Sequence, residues 1–229
     1  MIDHLFTMFY ICYMNSLVEE NYLKALFLLS NSDGEVSVNE LSKHLDIKMP
    51  TVTSMIKKLS DKQLVDYEKY KPIKLTIKGR GEAAQIIRKH RLTEMFLVEV
   101  MGFGWEEVHD IAEQIEHVDS PLFFSKMDEI LEYPTYDPHG SPIPDADGNI
   151  PGKVYRRLSQ YKAGDTVRFM AVVNSSDAFL KYLNTKELSL DTKLTILEVE
   201  PFDGTMRISY NKRPSETLSK MVCDKLLVL

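Results

Sequence analysis

A segment crowded with residues that interrupt helices and strands, YPTYDPHGSPIPDADGNIPG at 133–152, constrains the fold of this chain of 229 residues. It holds five prolines and three glycines in twenty residues. Proline lacks the backbone N–H that helices and inner strands require, so neither element can continue through this segment. Apolar residues recur at helical spacing before it, whereas short alternating runs such as DTVRFMAVV and TKLTILEVE follow it. The segment therefore predicts a linker between a helical part and a small β-rich part.

The N-terminal part has the element order of a winged helix-turn-helix. An amphipathic helix is predicted over residues 16–31. A second begins at Ser37, where Glu40 three residues later completes a capping-box pattern. Pro50 suits the first position of a third helix, PTVTSMIKKLSDKQ. The runs LVDYE and IKLTI, separated by KYKP, then predict a β-hairpin that would form the wing.

Charge is distributed unevenly along the chain. The net charge is −6, yet residues 37–92 hold 13 Lys and Arg against 6 Asp and Glu, a balance of +7. The remaining residues hold 15 against 28, a balance of −13. A basic segment inside an acidic protein indicates a polyanionic partner for that segment.

The polar side of the third helix is a candidate DNA-reading surface. Lysines position a protein on phosphates, and short hydroxyl side chains can approach base edges in the major groove. The predicted DNA-contacting residues are Lys48, Pro50, Thr51, Ser54, Lys57, Lys58, Lys69 and Lys71, with Lys74 of the hairpin beside them. A solvated lysine face is the alternative, but helix order, hairpin and local charge together favour double-stranded DNA as the partner.

The whole chain is predicted to be mainly α with a small all-β domain. Helices are expected over 79–101, over 105–118 and in PLFFSKMDEILE, and a small barrel with one short helix follows. The expected divisions are an extension at 1–15, a winged helix-turn-helix at 16–78, a helical domain at 79–132, a Pro-rich linker at 133–152 and a β domain at 153–229.

Several classes of protein are disfavoured. The apolar run near the N-terminus is about ten residues long, too short to span a bilayer, and residues 1–13 are interpreted as an upstream extension. Cys12 and Cys223 lie at opposite ends, which fits a reducing cytoplasm and no membrane partner. A metal-dependent hydrolase is the main rival, but the chain has neither an HExxH motif nor a Gly-rich phosphate loop.

Histidines and acids recur at helical spacing in two neighbouring segments. In VHDIAEQIEHV, His109, Glu113, Glu116 and His117 stand at i, i+4, i+7 and i+8, which places them on one helical face of roughly 100°. In RKHRLTEMFL, one turn separates the histidine at position 90 from the glutamate at position 94. The alternative for each pattern is a solvated helix face, which is favoured for the pair at 90 and 94 taken alone. Six potential ligands within 28 residues favour a metal site.

These motifs also carry a family resemblance. RKHRLTEMFL and VHDIAEQIEHV, preceded by PTVTSMIKKL and KLTIKGRGEA, resemble the diphtheria-toxin-repressor family of metal-dependent transcriptional regulators. YPTYDPHGSPIP and the C-terminal strands resemble the longer, three-part members, and the resemblance covers roughly residues 15–229. It implies a winged helix-turn-helix, a helical metal-binding and dimerisation domain, and a C-terminal SH3-like barrel.

The resemblance implies metal ligands by position. A primary site would use Asn21, Glu113, Glu116 and His117, and an ancillary site would use His90, Glu94 and His109. Asp137, His139 and Asp177 would complete the second site of the longer members. Oxygen and imidazole donors without sulfur suit Mn(II) or Fe(II), and the glutamate at position 113 favours Mn(II). Lys24 stands where a small manganese-binding subgroup has a further carboxylate.

The resemblance also implies a function. The chain would be a cytoplasmic homodimeric repressor that binds operator DNA when Mn(II) or Fe(II) is abundant, controls metal-uptake genes and needs no organic cofactor. The dimer interface is expected near Phe103, Trp105, Leu122, Phe123 and Phe124, unless these side chains fill the core of the monomer. A DNA-binding protein that answers to an organic ligand or a partner protein stays open as a further alternative.

Overall fold

The computed structural model describes residues 16–30, 33–145, 147–150, 152, 154–173 and 176–229. The predicted extension at 1–15 lies outside the described residues. The chain forms two compact units. In its described part, the first unit runs to Lys89 and adds Glu116–Asp119 and Pro144–Asn149, and the second contains His90–Ile115, Ser120–Ile143 and Ile150–Leu229. No helix in the described ranges is long and apolar enough to cross a membrane.

The first unit contains the winged helix-turn-helix predicted from the sequence. Its elements are α1 (Leu17–Leu29), β1 (Glu35–Val36), α2 (Val38–Leu45), α3 (Met49–Asp61), β2 (Val65–Asp66) and β3 (Ile73–Leu75). The hairpin of β2 and β3 is joined by β1, which the sequence analysis missed, and the three strands pair antiparallel in the order β1-β3-β2. Lys48 is the N-cap of α3, so Pro50 occupies the second helical position rather than the predicted first.

Local capping and apolar periodicity explain these helices. Ser16 and Glu19 form a capping box at the start of α1, and Ser37 and Glu40 form another at the start of α2. The apolar face of α3 is completely buried in the core of the unit through Val52, Ile56 and Leu59. Burying a side chain of this size stabilises the fold by about 1.5–3 kcal/mol.

The second unit begins within a long helix. Helix α4 (Ile77–Glu99) starts in the first unit and ends in the second, and α5 (His109–Ile115) and α6 (Pro121–Ile130) follow. The predicted helix over 105–118 is too long, because α5 ends at Ile115 and the next two residues form a turn. Ser120 is the extended N-cap of α6 and precedes Pro121, so the chain must leave the helical conformation before it. His109, Glu113, Glu116 and His117 therefore do not share one helix.

The C-terminal part of the second unit is the predicted all-β domain. Its elements are β4 (Arg156–Arg157), a 3-10 turn (Leu158–Gln160), β5 (Thr166–Val172), α7 (Asp177–Thr185), β6 (Lys193–Val199), β7 (Met206–Tyr210), β8 (Arg213–Leu218), α8 (Lys220–Cys223) and β9 (Leu226–Val228). The six strands pair antiparallel in the order β4-β9-β5-β6-β7-β8. Strands β4 and β8, which stand at the two ends of this order, were not predicted from the sequence. Edge strands expose polar residues and tolerate proline, so their alternation is weak.

The breaker-rich segment is shared between the units. Its residues up to Ile143 belong to the second unit, and Pro144–Asn149 belong to the first. In the second unit it lies against β5, where the backbone N–H of Val172 donates to the carbonyl of His139 at 3.0 Å. Gly140 has a φ of +83°, and a Cβ added to it would lie 2.1 Å from the carbonyl oxygen of Met170. The close approach of the two backbones therefore requires glycine at this position.

Replacing Gly140 with alanine is expected to lift this segment from β5. Gly140→Ala should lower the free energy of unfolding by about 2–4 kcal/mol, because left-handed strain and a steric clash add together. Thermal and denaturant unfolding would measure the change. Gly164→Ala is the matched control, since Gly164 also has a positive φ, of +91°, but its Cβ would meet no atom within 4 Å. Equal losses from the two substitutions would contradict the close approach.

Candidate functional site

A buried glutamate near the C-terminal end of α4 lies among three imidazoles. The Oε1 atom of Glu94 lies 3.0 Å from Nε2 of His90 and 3.4 Å from Nδ1 of His109. Its Oε2 atom lies 3.5 Å from Nδ1 of His139. Only 3% of Glu94 is exposed, so its charge depends on these neighbours for compensation. We call Glu94, His90, His109, Asp137 and His139 the Glu94 centre.

Helix geometry places the first members of the Glu94 centre together. His90 and Glu94 are one turn apart on α4, and His109 is the first residue of α5. The Oε1 atom of Glu113 lies 3.7 Å from Nδ1 of His90 and 3.7 Å from Nε2 of His109. Glu113, which the resemblance grouped with the primary site, therefore lies beside the Glu94 centre.

The breaker-rich segment supplies the other two members. The Oδ1 atom of Asp137 accepts hydrogen bonds from the backbone N–H groups of His139, at 2.9 Å, and Ser141, at 2.8 Å. Nε2 of His139 lies 2.7 Å from the carbonyl oxygen of Trp105, which can only accept, so Nε2 carries the proton. In the neutral ring, Nδ1 then presents its lone pair toward Glu94, as a metal-binding histidine requires.

Electrostatics in the Glu94 centre reflect burial and close charges. Burial opposes ionisation of Glu94, but hydrogen bonds with His109, His139 and His90 hold its pKa well below the ordinary value. Burial, together with the negative charge of Glu94, raises the pKa of Asp137 to about 6. Burial alone would lower the pKa of His139, but its hydrogen bond and charge interaction with Glu94 raise it above the ordinary value.

The donor set fits a divalent metal ion. Two groups, His90–Glu94–His109 and Glu94–Asp137–His139, each bring three potential ligand atoms within 4.8 Å of one another, and they share Glu94. Both offer oxygen and nitrogen without sulfur, which suits Mn(II) or Fe(II). Asp177 is not brought to this centre. It is exposed at the first position of α7, where a negative charge favours the helix N-terminus.

The remaining predicted ligands lie in the first unit, against α1. The fully buried Glu116 pairs with Nζ of Lys24 at 2.7 Å. Nδ1 of His117 lies 2.6 Å from the Glu20 carboxylate. Asn21 is exposed, and it is its chain neighbour Glu20 that reaches His117. Glu20 was not predicted as a partner, although the acid at position 20 and the base at position 24 are one helical turn apart.

The predicted DNA-reading face of α3 is exposed. Lys48, Pro50, Thr51, Ser54, Lys57 and Lys58 are exposed, as are Lys69 and Lys71 of the wing. Some of these lysines have acidic partners within the protein. Lys58 pairs with the buried Glu19 of α1 at 3.2 Å, as does Lys62 at 2.9 Å. Burial would raise the pKa of Glu19, but hydrogen bonds from Lys62, the Ser16 backbone and Lys58 hold it below the ordinary value.

The residues predicted for a dimer interface do not form one exposed set. Leu122 is 71% exposed and Phe123 is 44% exposed at the start of α6. Phe124 instead packs in a small core with Leu92. Trp105 packs against the core of the β domain, and its indole N–H donates to Oδ1 of an asparagine on α7 at 2.8 Å. The alternative interpretation, that these side chains fill the interior, therefore holds for Phe124 and Trp105.

Comparisons with known proteins match both halves of the helical region. Residues 15–73 match the family model described as iron dependent repressor, N-terminal DNA binding domain. Residues 76–145 match the one described as iron dependent repressor, metal binding and dimerisation domain. The chain is 36% identical over 133 residues to the iron-dependent repressor IdeR of Mycobacterium tuberculosis, which covers 57% of this chain and 58% of that protein. The chain thus spans less than two thirds of this curated relative.

Two other matches cover a larger share of the matched protein. The chain is 33% identical over 114 residues to the HTH-type transcriptional regulator MntR of Oceanobacillus iheyensis, covering 50% of this chain and 77% of MntR. A solved manganese-dependent transcriptional repressor in complex with manganese superposes with a TM-score of 0.85 at 32% identity. That match covers 92% of this chain and 99% of the other.

The raised pKa of Asp137 predicts how the stability of the metal-free protein depends on pH. A folded-state pKa of about 6 means that the folded chain holds this proton more tightly than the unfolded chain. Its contribution to stability is complete below the ordinary pKa of the aspartate and is lost as the pH rises through about 6. His139, whose pKa is also raised, acts with the same sign.

In chelator, the free energy of unfolding should therefore be greater at about pH 5 than at about pH 7.5, with Asp137 contributing about 1 kcal/mol of the difference. Thermal unfolding across this range would measure it. Asp137→Asn should reduce the pH dependence, whereas Asp177→Asn, which changes an exposed aspartate, should leave it unchanged. An identical pH dependence in Asp137→Asn would contradict the assignment.

Proposed function

The chain belongs to the diphtheria-toxin-repressor family of metal-dependent transcriptional regulators, and on that premise we propose that it represses transcription when its Glu94 centre holds Mn(II) or Fe(II). One observation carries the proposal. A buried carboxylate surrounded by three imidazoles lies in the same chain as an exposed, lysine-rich recognition helix. A sensor for a cation and a surface for DNA are the two parts that such a switch requires.

The Glu94 centre would hold the regulatory ion through His90, Glu94, His109, Asp137 and His139. A bound divalent cation would add positive charge close to the two buried carboxylates, Glu94 and Asp137. The Trp105 carbonyl supports this role because it fixes the proton of His139 on Nε2 and leaves Nδ1 for the metal. Mn(II) is the first choice, because the resemblance associates a glutamate at position 113 with manganese, and the solved manganese-dependent repressor superposes on this chain with a TM-score of 0.85.

Control of DNA binding would follow from which segments the centre joins. His90 and Glu94 are on α4, His109 is on α5, and Asp137 and His139 are on the segment that lies against β5. Without a cation, the charge on Glu94 opposes ionisation of Asp137, so this arrangement is disfavoured at neutral pH. Metal binding would favour the arrangement in which these segments are together. Helix α4 follows the wing directly and is the continuous element through which this preference could reach α3.

The DNA-bound form would be a homodimer on a double-stranded operator. The domain model matched by residues 76–145 includes dimerisation, and the exposed Leu122 and Phe123 lie in that range. A dimer would present two copies of α3 to half-sites about 34 Å apart. We place this activity in the cytoplasm and infer metal-uptake genes as its targets. Both family models describe a repressor, which argues against the hydrolase alternative.

DNA binding by the purified protein should depend on the metal. Fluorescence anisotropy with DNA from the promoter of its own gene should show tight binding in Mn(II), or in anaerobic Fe(II), and weak binding in chelator. Glu94→Gln should reduce the metal-activated affinity about tenfold or more, because it removes the central charge. Asp177→Asn is the matched acid-to-amide control and should bind as the wild type does. Affinity that is indifferent to chelator would overturn metal control.

Substitutions on α3 should separate phosphate contacts from base contacts. Lys57→Ala should weaken binding to all sequences alike and reduce the slope of log affinity against log salt by about 1, because one phosphate contact is lost. Thr51→Ala and Ser54→Ala should instead relax sequence preference. Lys181→Ala, on the exposed side of α7, controls for loss of a charge. A uniform loss of affinity from Thr51→Ala and Ser54→Ala would show that this side of α3 does not face the bases.

A further inference from the structure

The first unit contains another group of charged side chains, some buried and some partly buried, that pair with one another. We call Glu20, Lys24, Glu116 and His117 the α1 ion-pair set. Nζ of Lys24 lies 2.7 Å from Oε2 of Glu116, and Nδ1 of His117 lies 2.6 Å from Oε2 of Glu20. Nε2 of His117 also lies 3.7 Å from Oε1 of Glu116. The two residues beyond α5 are thus joined to α1 by two side chains of α1.

The α1 ion-pair set does not fit a divalent cation as arranged. The ammonium of Lys24 already compensates the Glu116 carboxylate, and it would repel a dication bound to the same group. Lys24 holds Glu116, Glu20 holds His117, and the amide of Asn21 is exposed. A metal ion at Glu116 and His117 would have to displace Lys24 from Glu116 and then lie beside its positive charge. The resemblance assigned a primary metal site here, and these contacts disagree with it.

We propose that Lys24 takes the place of a metal ion in the first unit. Its ammonium holds Glu116 against α1 in the presence and in the absence of metal, and the metal signal is read at the Glu94 centre alone. The inference rests on the proposed metal-dependent repression, since it assigns the response to one of two family sites. It also gives Lys24 a role that a carboxylate at this position could not perform.

Burial makes the Lys24–Glu116 pair a structural requirement. Lys24 is 8% exposed and Glu116 is completely buried, so loss of either partner removes the nearest opposite charge from a buried group. Helix α1 contributes Tyr22 and Leu23 to the core of the winged helix-turn-helix. The Nζ atom of Lys89 donates to the carbonyl of Val118 at 3.2 Å and binds the same short segment to α4. Residues 116–119 are therefore fixed to the DNA-reading unit by contacts that contain no metal.

Mn(II) stoichiometry tests this proposal directly. Titration of the full chain followed by electron paramagnetic resonance counts bound Mn(II) without any need for DNA. Lys24→Met, which keeps the length of the side chain and removes its charge, should bind one Mn(II) more per chain than the wild type. Lys24→Arg is the matched control that keeps the charge, and it should bind as the wild type does. Introduced singly into the wild-type sequence, Glu94→Gln should reduce the number of Mn(II) ions bound, whereas Glu116→Gln should leave that number unchanged.

The outcomes separate this inference from the proposed function. Loss of one Mn(II) from Glu116→Gln, or an unchanged number in a folded Lys24→Met chain, would overturn the role of Lys24 and leave metal-dependent repression standing. Binding that appears only in Lys24→Met would support the role of Lys24 and overturn the Glu94 centre. Thermal unfolding provides the second readout. Lys24→Met should unfold at a lower temperature than the wild type in chelator, and Mn(II) should raise that temperature more than it does for the wild type. If Lys24→Met does not fold, the stoichiometry of Glu116→Gln decides the question.

Discussion

The compensation of one buried carboxylate organises the second unit. Glu94 is nearly inaccessible to water, and its charge is stabilised by imidazoles from α4, from α5 and from the segment against β5. Each imidazole comes from a different element, so compensation of the Glu94 charge requires these three elements to pack around its side chain. Asp137 adds a second carboxylate to the same place, and burial together with the charge of Glu94 raises its pKa to about 6, so a proton or a cation can stabilise the cluster.

The two units balance buried acids in different ways. Glu116 is paired with the ammonium of Lys24 from the same unit at 2.7 Å. The charges of Glu94 and Asp137 are compensated by imidazoles and by Arg91, whose Nε lies 3.6 Å from Asp137. Because imidazoles and Asp137 can gain or lose protons, the net charge of this group responds to pH and to bound ions. A switch needs one part that changes with its signal and another that stays assembled. In the mechanism proposed above, the second unit would take the first of these roles and the first unit the other.

Local sequence signals predicted much of the fold, and long-range pairing set the limit. The capping box at Ser37 and the apolar face of α3 each depend on residues that are close together in the sequence, so the winged helix-turn-helix could be predicted. Helical spacing relates residues 90 and 94, and the family resemblance added residue 109 to their group. The partnership of Lys24 with Glu116 joins residues 92 positions apart, and no periodicity connects them. The end of α5 at Ile115 was also not predicted, because it depends on Ser120, the N-cap of the helix that follows.

The way in which the breaker-rich segment rests on β5 affects which substitutions the β domain can accept. The contact described there is between backbone groups, with the N–H of Val172 bonded to the carbonyl of His139. Side chains along β5 can therefore change during evolution without moving His139, provided that the strand itself persists. Gly140 has no such freedom, because any side chain would meet the carbonyl of Met170. The β domain could thus diverge widely in sequence and still hold the same histidine in place.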